Sequence, residues 1–270
     1  MRELNVAVVQ MQPELTKMEA NVGKMADSIA KIATEQPVDI IVFPELSVTG
    51  YEGGPRFAQM AQRVPGAVTN ILGQHATEFG VYVLIGMAVK EKVETVMYNS
   101  AVLIGPDGEV AGDYRKLHLP AEERLVFRPG FKIAPIETEV GNLGILMGWD
   151  LAFPEVARSL ALDGADVLLA PLAWQARDMD MLRVLLSARA YENDIYVVAA
   201  NRIGEEPSYA FGGHSAVISP GGHVLAALEE PEEGYIVVRL DLDEVRHRRE
   251  ETQIMAARQP ASYRSIVRKY

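Results

Sequence analysis

The amino-acid sequence predicts an α/β protein, folded as an α-β-β-α sandwich of two similar halves. Valine- and isoleucine-rich apolar runs alternate with segments of helical periodicity along the whole chain. The order of these runs in the first half recurs in the second half. Two such units, packed sheet against sheet with helices outside, would bury the apolar faces of both sheets. No Gly/Ser-rich linker separates the halves, so we expect a single domain over residues 1–270.

The first half contains four strand-like runs and two helical segments. Apolar residues at helical spacing predict one helix over residues 18–34 and another over residues 67–79. Turn-forming residues bound each of the apolar runs, as is typical of strands. The predicted strands are LNVAVVQ (4–10), DIIVFPE (39–45), VYVLIGMAV (81–89) and YNSAVLIG (98–105).

The second half repeats this order of strands. The clearest correspondence joins NSAVLIGPDGEV (99–110) to HSAVISPGGHV (214–224), two strands that each end in a Pro/Gly turn. Buried strands can look alike by chance, but four matched elements in one order argue against chance. The other three matching segments are LGILMGWD (143–150), ADVLLAPLAW (165–174) and IYVVAAN (195–201).

Composition excludes several classes of protein. The net charge of −11 argues against a nucleic-acid partner or an acidic membrane surface. The basic run RHRRE (246–250) is interpreted as a solvated helix face. The N-terminal segment lacks a signal-peptide pattern, and no apolar run approaches the roughly 20 residues of a membrane helix. We therefore expect a cytoplasmic protein without a membrane partner.

No metal or other cofactor is expected. The chain has no cysteine, which excludes disulfides, iron–sulfur clusters and cysteine-zinc sites. Its five histidines show no metal-ligand spacing, and His118 is interpreted as structural. Neither a GxGxxG nor a P-loop pattern occurs, and the GxSxG elbow of serine hydrolases is absent as well.

Two segments carry charged residues at the end of a predicted strand or just beyond a turn, where catalytic side chains are often found. Glu45, in VFPELSVTGY, closes an apolar strand, where a carboxylate is either exposed and incidental or buried and poised as a general base. Lys116, in DYRKLHLPAEERLVFRPG, lies just beyond a turn, with Glu122 and Glu123 a few residues later. Taken alone, this second segment reads as a solvated charge run.

A third segment, GILMGWDLAFPE (144–155), reads as a strand that turns sharply at Gly148 into a helix starting near Phe153–Pro154. Such an elbow presents backbone N–H groups that can stabilise an oxyanion. The alternative is that the turn simply needs a glycine.

Together the three segments resemble the nitrilase, or carbon–nitrogen hydrolase, family, whose motifs look like FPE…GY, YRK.HL and C.D..FPE. The resemblance covers almost the whole chain, includes RAYENDIYVVAANRIG (189–204), and fits the two-halved sandwich. It implies catalytic roles for Glu45 and Lys116, and it assigns the family's second glutamate to Glu123. The position of the family's cysteine nucleophile is occupied by Gly148.

The resemblance implies hydrolysis of a carbon–nitrogen bond in a small amide, a nitrile or an N-carbamoyl compound. In that mechanism the cysteine attacks, the glutamate takes its proton, and the lysine helps to hold the oxyanion. Because Gly148 has no side chain, we expect the chain as written to be inactive or nearly so. Either the nucleophile was removed to trap a ligand, or the chain is a natural non-catalytic relative that binds a small amide or amine. The otherwise intact motifs favour removal.

Aromatic residues near strand ends are candidates for the walls of a substrate pocket, with core packing as the alternative. The candidates are Tyr51, Trp149 and Trp174. The segments FPEVARSLAL (153–162) and MLRVLLSARAY (181–191) carry more apolar residues than one buried face requires. Together with the pairing of helices in the resembled family, they predict a homodimer or a higher homo-oligomer.

Overall fold

The computed structural model describes residues 2–91, 96–120 and 122–268. Within them the predicted α/β class is confirmed; residue 1 and residues 269–270, the ends of the predicted domain, lie outside the described residues. The helices are α1 (Met18–Glu35), α2 (Phe57–Met60), α3 (Ala67–Phe79), α4 (Pro154–Leu162), α5 (Met179–Asn193) and α6 (Leu242–Thr252). The strands are β1 (Glu3–Gln10), β2 (Ile40–Val42), β3 (Tyr82–Lys90), β4 (Met97–Ile104), β5 (Val110–Arg115), β6 (Ile136–Thr138), β7 (Gly141–Ile145), β8 (Val167–Leu172), β9 (Tyr196–Asn201), β10 (Ile203–Glu206), β11 (Tyr209–Gly212), β12 (Ala216–Ile218), β13 (Val224–Ala227) and β14 (Gly234–Asp241).

Two six-stranded sheets carry the internal similarity. The first sheet has the order β14-β1-β2-β3-β4-β5, and the second has the order β13-β12-β9-β8-β7-β6. In each sheet three strands run parallel, β1-β2-β3 in the first and β7-β8-β9 in the second, and the next strand along is antiparallel. The halves therefore correspond strand by strand, as the sequence predicts. A separate hairpin, β10-β11, lies outside both sheets.

The sheets pack face to face because successive side chains of a strand point to opposite sides. On β1, Val6 and Val8 join the core between the sheets, where Val198 of the second sheet also lies. The alternate residues Ala7 and Val9 belong instead to the core beneath α1 and α3. A third apolar cluster joins α4 and α5 to the outer face of the second sheet. The result is four layers in the order α-β-β-α.

Helix α1 shows why the helical segments bury one face. Its buried apolar residues follow helical spacing, so they form one stripe against the first sheet. Burying a side chain of this size stabilises the fold by roughly 1.5–3 kcal/mol. The stripe consists of Val22, Met25, Ala26, Ile29 and Ile32. Within the described residues, no helix combines the length and apolarity needed to cross a membrane.

Two predicted details differ in the structure. The run DIIVFPE forms only the three-residue strand β2, since the chain leaves the sheet at Phe43 and adopts a positive φ of 49° at Leu46. Lys116 directly follows strand β5, which the sequence did not predict, instead of a turn. Both changes bring polar groups to the edge of the first sheet where the second sheet meets it.

Candidate active site

Glu45 lies in the loop after β2, between the two sheets. Its backbone N–H donates to the carbonyl of Leu172 at the end of β8, at 3.3 Å, which ties the loop to the second sheet. Gly86 of β3 allows the same loop to lie close against the first sheet, because a Cβ on residue 86 would collide with the backbone of Pro44 and Glu45. The Glu45 side chain is 1% exposed, so the carboxylate is buried, as the interpretation of Glu45 as a general base requires.

Lys116 connects Glu45 to Glu123. Its Nζ donates to Glu45 Oε1 at 2.7 Å and to Glu123 Oε1 at 2.6 Å, and all three side chains are buried. The interpretation as a solvated charge run is therefore wrong for Lys116 and Glu123. It holds for Glu122, which is exposed. The charges of Lys116 and Glu123 find their partners inside the protein, in part from a loop that is distant in sequence.

Asn99 belongs to the same cluster, although the sequence analysis missed it. Its Nδ2 donates to Glu45 Oε1 at 2.7 Å and to Glu123 Oε2 at 3.3 Å. The side chain is 1% exposed and holds the two carboxylates at a fixed separation. The available signal was a single amide near the start of a mostly apolar strand, YNSAVLIG.

Tyr51 braces the cluster from the side. Its hydroxyl donates to Glu123 Oε1 at 2.6 Å, and its ring makes an edge contact with Phe211 of β11. The backbone N–H of Tyr51 donates to the carboxylate of Glu206 on β10, at 3.0 Å. Arg202, which is fully buried, pairs with Glu206 at 2.6 Å. The β10-β11 hairpin thus holds Tyr51 in place through a buried ion pair.

Gly148 lies at the turn between β7 and α4. It has a φ of 47°, in the left-handed region, and begins a short 3₁₀ turn over Gly148–Ala152. A Cβ on residue 148 would lie 2.8 Å from Lys116 Nζ and still closer to Glu45 Oε2. The indole Nε1 of Trp174 donates to the Gly148 carbonyl at 3.0 Å. The four predicted residues Glu45, Lys116, Glu123 and Gly148 therefore lie together, with the Glu45 carboxylate against the Cα of Gly148.

Asp150 fastens the turn to the segment after Lys116. Its fully buried carboxylate accepts from the Tyr114 hydroxyl at 2.7 Å and from the His118 backbone N–H at 2.8 Å. The ring of His118 also contacts this carboxylate and stacks on Phe153, with the ring centroids 3.5 Å apart. These contacts fit the interpretation of His118 as a structural residue.

Burial and charge set the protonation of the cluster. Burial raises the pKa of Glu45 from 4.5 to about 7; Lys116 opposes this rise and Glu123 adds to it by repulsion. Burial by itself would lower the pKa of Lys116, but the carboxylates of Glu123 and Glu45 outweigh it, and the pKa is raised. Near neutral pH, Lys116 is thus charged and Glu45 can both take up and release a proton.

A cavity of about 510 Å³ opens above the cluster. This volume suits a small molecule. The three predicted pocket residues all line the cavity, and Trp149 is 39% exposed. Tyr51 and Trp174 also pack against apolar core clusters, so for these two residues lining the cavity and core packing hold together. Sequence reasoning did not find the residues that helix α5 and the segment before it contribute. The lining is Glu45, Tyr51, Lys116, Pro120, Gly148, Trp149, Ala152, Ala173, Trp174, Gln175, Asp178, Met181 and Leu185.

A four-layer α/β sandwich with a buried carboxylate, a buried lysine and a strand-to-helix elbow beneath a small-molecule cavity is an arrangement that a hydrolase can use. The chain belongs to the carbon–nitrogen hydrolase family, whose model matches residues 5–250.

Individual members of this family are similar to the chain in sequence and in structure. A probable nitrilase from Schizosaccharomyces pombe is 39% identical over 245 residues, which is 90% of each chain. The crystal structure of a carbon–nitrogen hydrolase from Helicobacter pylori G27 superimposes with a TM-score of 0.93 at 25% identity, over 99% of each chain. A variant of the amidase from Nesterenkonia sp. AN1 is 28% identical, with a TM-score of 0.82 over 93% of this chain and 95% of that one. Its active-site cysteine carries the acetamide moiety of fluoroacetamide.

Proposed function

We propose that the chain is built to bind and hydrolyse a small amide, with a nitrile or an N-carbamoyl compound as related substrates, and that Gly148 occupies the position of the nucleophile. As written, the chain binds the ligand but turns it over slowly or not at all. The observation that carries this proposal is the contact of Glu45 and Lys116 with the elbow at Gly148, on the floor of the cavity. Relatives named as a nitrilase and an amidase support the type of reaction.

With a thiol at residue 148, each group in the cluster has a role. Glu45, with a pKa of about 7, takes the thiol proton, and the thiolate attacks the amide carbon. Two N–H groups of Lys116 are used by Glu45 and Glu123, which leaves the third to stabilise the oxyanion together with the elbow backbone. The proton then passes from Glu45 to the departing amine. Glu45 then deprotonates a water, which attacks the thioester carbon. The C–S bond breaks, the carboxylic acid is released, and Glu45 returns the proton to the departing thiolate.

Without the thiol no thioester can form, and the only nucleophile that Glu45 can activate is a water. Glu45 can orient a water, but a water is a weaker nucleophile than a thiolate and no covalent bond holds it in line with the carbonyl. Binding does not require the thiol, because Lys116 and the cavity walls remain. The expected consequence is ligand affinity without comparable turnover.

The test compares Gly148→Cys with Gly148→Ala. Both variants add a Cβ at a φ of 47°, and both must displace the Glu45 carboxylate, so the alanine variant isolates the effect of the sulfur. Ammonia release is measured on a panel of small amides, nitriles and N-carbamoyl amines, with mass spectrometry to detect an acyl adduct. We expect turnover in the cysteine variant on the order of a thousandfold above that of the alanine variant and of the chain as written.

Equal rates in the three proteins would show that residue 148 is not the position of the nucleophile. A cysteine variant that binds amides and turns none over would favour the alternative, a natural binding protein for small amides or amines. This alternative is supported by the position of the Glu45 carboxylate, which occupies the space that the Cβ of a cysteine at residue 148 would need.

We also propose one domain over residues 1–270 and assembly as a homodimer or a higher homo-oligomer. The pairing of β14 with β1 joins the two ends of the chain in one sheet, which supports the single domain. Large apolar side chains are exposed to solvent on α4 and α5. Contact with a second copy of the chain would bury them, which supports assembly. Those that lie outside the cavity lining are Leu162, Val184 and Tyr191. The cytoplasmic location and the absence of nucleic-acid and membrane partners stay predictions.

A further inference from the structure

We propose that the cavity selects a cationic substrate: a short, linear amide or N-carbamoyl compound with a protonated amine at the far end, which Asp178 binds. This inference rests on the proposed function, since it assumes that the amide end lies at the elbow. It names the class of substrate that this cavity would take.

The charges that line the cavity carry the argument. Among the thirteen described lining residues, only Glu45, Lys116 and Asp178 are charged. Lys116 is already bound by Glu45 and Glu123, so its charge is balanced within the cluster. Asp178 is then the one charged lining residue outside the cluster. The Asp178 carboxylate attracts a cationic ligand. It repels an anionic ligand, and the lining offers that ligand no basic side chain other than Lys116, which is already paired.

The other large side chains of the lining suit a chain of methylene groups. Trp149, Trp174, Met181 and Leu185 present apolar surface to the cavity. Aromatic faces also attract an ammonium group that lies within about 6 Å of the ring. A ligand of this class can therefore contact the cluster with its amide, Asp178 with its amine and the apolar side chains with its methylene groups.

Asp178 is available for this role. It precedes helix α5, but its carboxylate makes no capping hydrogen bond to the helix. Its ion-pair partner is Arg177, with Nε 3.6 Å from Oδ2, and the Arg177 side chain is 76% exposed. Such a solvated pair is weak, so an amine brought in by a ligand can displace the arginine. Arg177 itself is not among the residues that line the cavity.

The experiment measures binding by calorimetry on the chain as written, so that it does not depend on turnover. Three probes of similar length differ in the charge of the far end: 5-aminopentanamide is cationic, hexanamide is neutral and glutaramate is anionic. We expect 5-aminopentanamide to bind about three to ten times more tightly than hexanamide, and glutaramate to bind most weakly. The preference should shrink as salt is raised, since the Asp178 side chain is 44% exposed.

Two variants assign the preference to one residue. Asp178→Asn should remove the advantage of 5-aminopentanamide over hexanamide and leave hexanamide binding unchanged. Asp180→Asn is the matched control: it removes the same charge from a fully exposed side chain that lies outside the cavity lining. It should leave all three affinities as they are.

The outcomes separate this inference from the proposed function. Equal binding of the cationic and neutral amides, or equal effects of the two variants, would overturn the inference alone. Binding of none of the three amides would overturn the proposed function and the inference with it. Tighter binding of glutaramate than of hexanamide would overturn the assignment of a cationic substrate.

Discussion

Replacing Glu45 by glutamine should make the stability of the protein less dependent on pH. The folded protein holds the Glu45 proton more firmly than the unfolded chain does, because the pKa rises from 4.5 to about 7 on folding. Between these two values the folded state binds more protons. The contribution of Glu45 to the free energy of unfolding is thus fully present below pH 4.5 and is lost as the pH rises through about 7.

The size of the effect follows from the shift in pKa. Each unit of pKa corresponds to about 1.4 kcal/mol, so the rise at Glu45 amounts to about 3 kcal/mol. Glutamine keeps an oxygen that can accept from Lys116 and Asn99, yet it carries no charge to desolvate. The free energy of unfolding of Glu45→Gln, minus that of the parent chain, should therefore increase by about 3 kcal/mol between about pH 4 and pH 8.

The assay is urea unfolding of both proteins at a series of pH values, with the difference plotted against pH. Glu122→Gln is the control, because it removes one neighbouring carboxylate that is exposed instead of buried. A difference for Glu45→Gln that stays constant from about pH 5 to pH 8 would refute the assignment of the raised pKa to Glu45.

Two further predictions concern Tyr51 and assembly. Tyr51→Phe keeps the ring against Phe211 but removes the hydroxyl that donates to Glu123, so it should lower the free energy of unfolding by roughly 1–3 kcal/mol. In the Gly148→Cys background it should reduce kcat more than it raises KM, and unchanged stability and kinetics would contradict the bracing role. Light scattering should give at least twice the mass of one chain, and a mass near 29.6 kDa at micromolar concentration would exclude the dimer. Tyr191→Glu, which places a charge on the exposed face of α5, should shift the protein towards monomer.

The sequence predicted the elements whose pattern is local. Helix α3 matches its predicted span at both ends, because its apolar spacing is regular and Gly80, with a φ of 65°, ends it. The correspondence of the two halves was also readable, since matched strands bury the same kinds of side chain. Strand β5 could not be predicted from the sequence, because buried and exposed residues alternate along it and its residues VAGDYR look polar in isolation.

The candidate site was predictable only where a motif marks it. Glu45, Lys116 and Gly148 were found through three segments that together resemble one family. The burial of Lys116 could not be read locally, because one of its two partners, Glu45, lies 71 residues earlier in the chain. Asn99 and Asp178 join the site through the packing of separate elements, and neither carries a local signal strong enough to distinguish it from other polar residues.

The pairing of β14 with β1 has a consequence for synthesis on the ribosome. Gln10 pairs with Gly234 and Glu3 with Asp241, so one edge of β1 stays open until almost the whole chain has emerged. The second sheet has no such requirement, because its strands all lie between Ile136 and Ala227. The nascent chain can therefore complete its second sheet while one edge of the apolar strand β1 in the first sheet still lacks its partner. An open strand of this kind is where nascent chains aggregate, and truncation before residue 234 would make the exposure permanent.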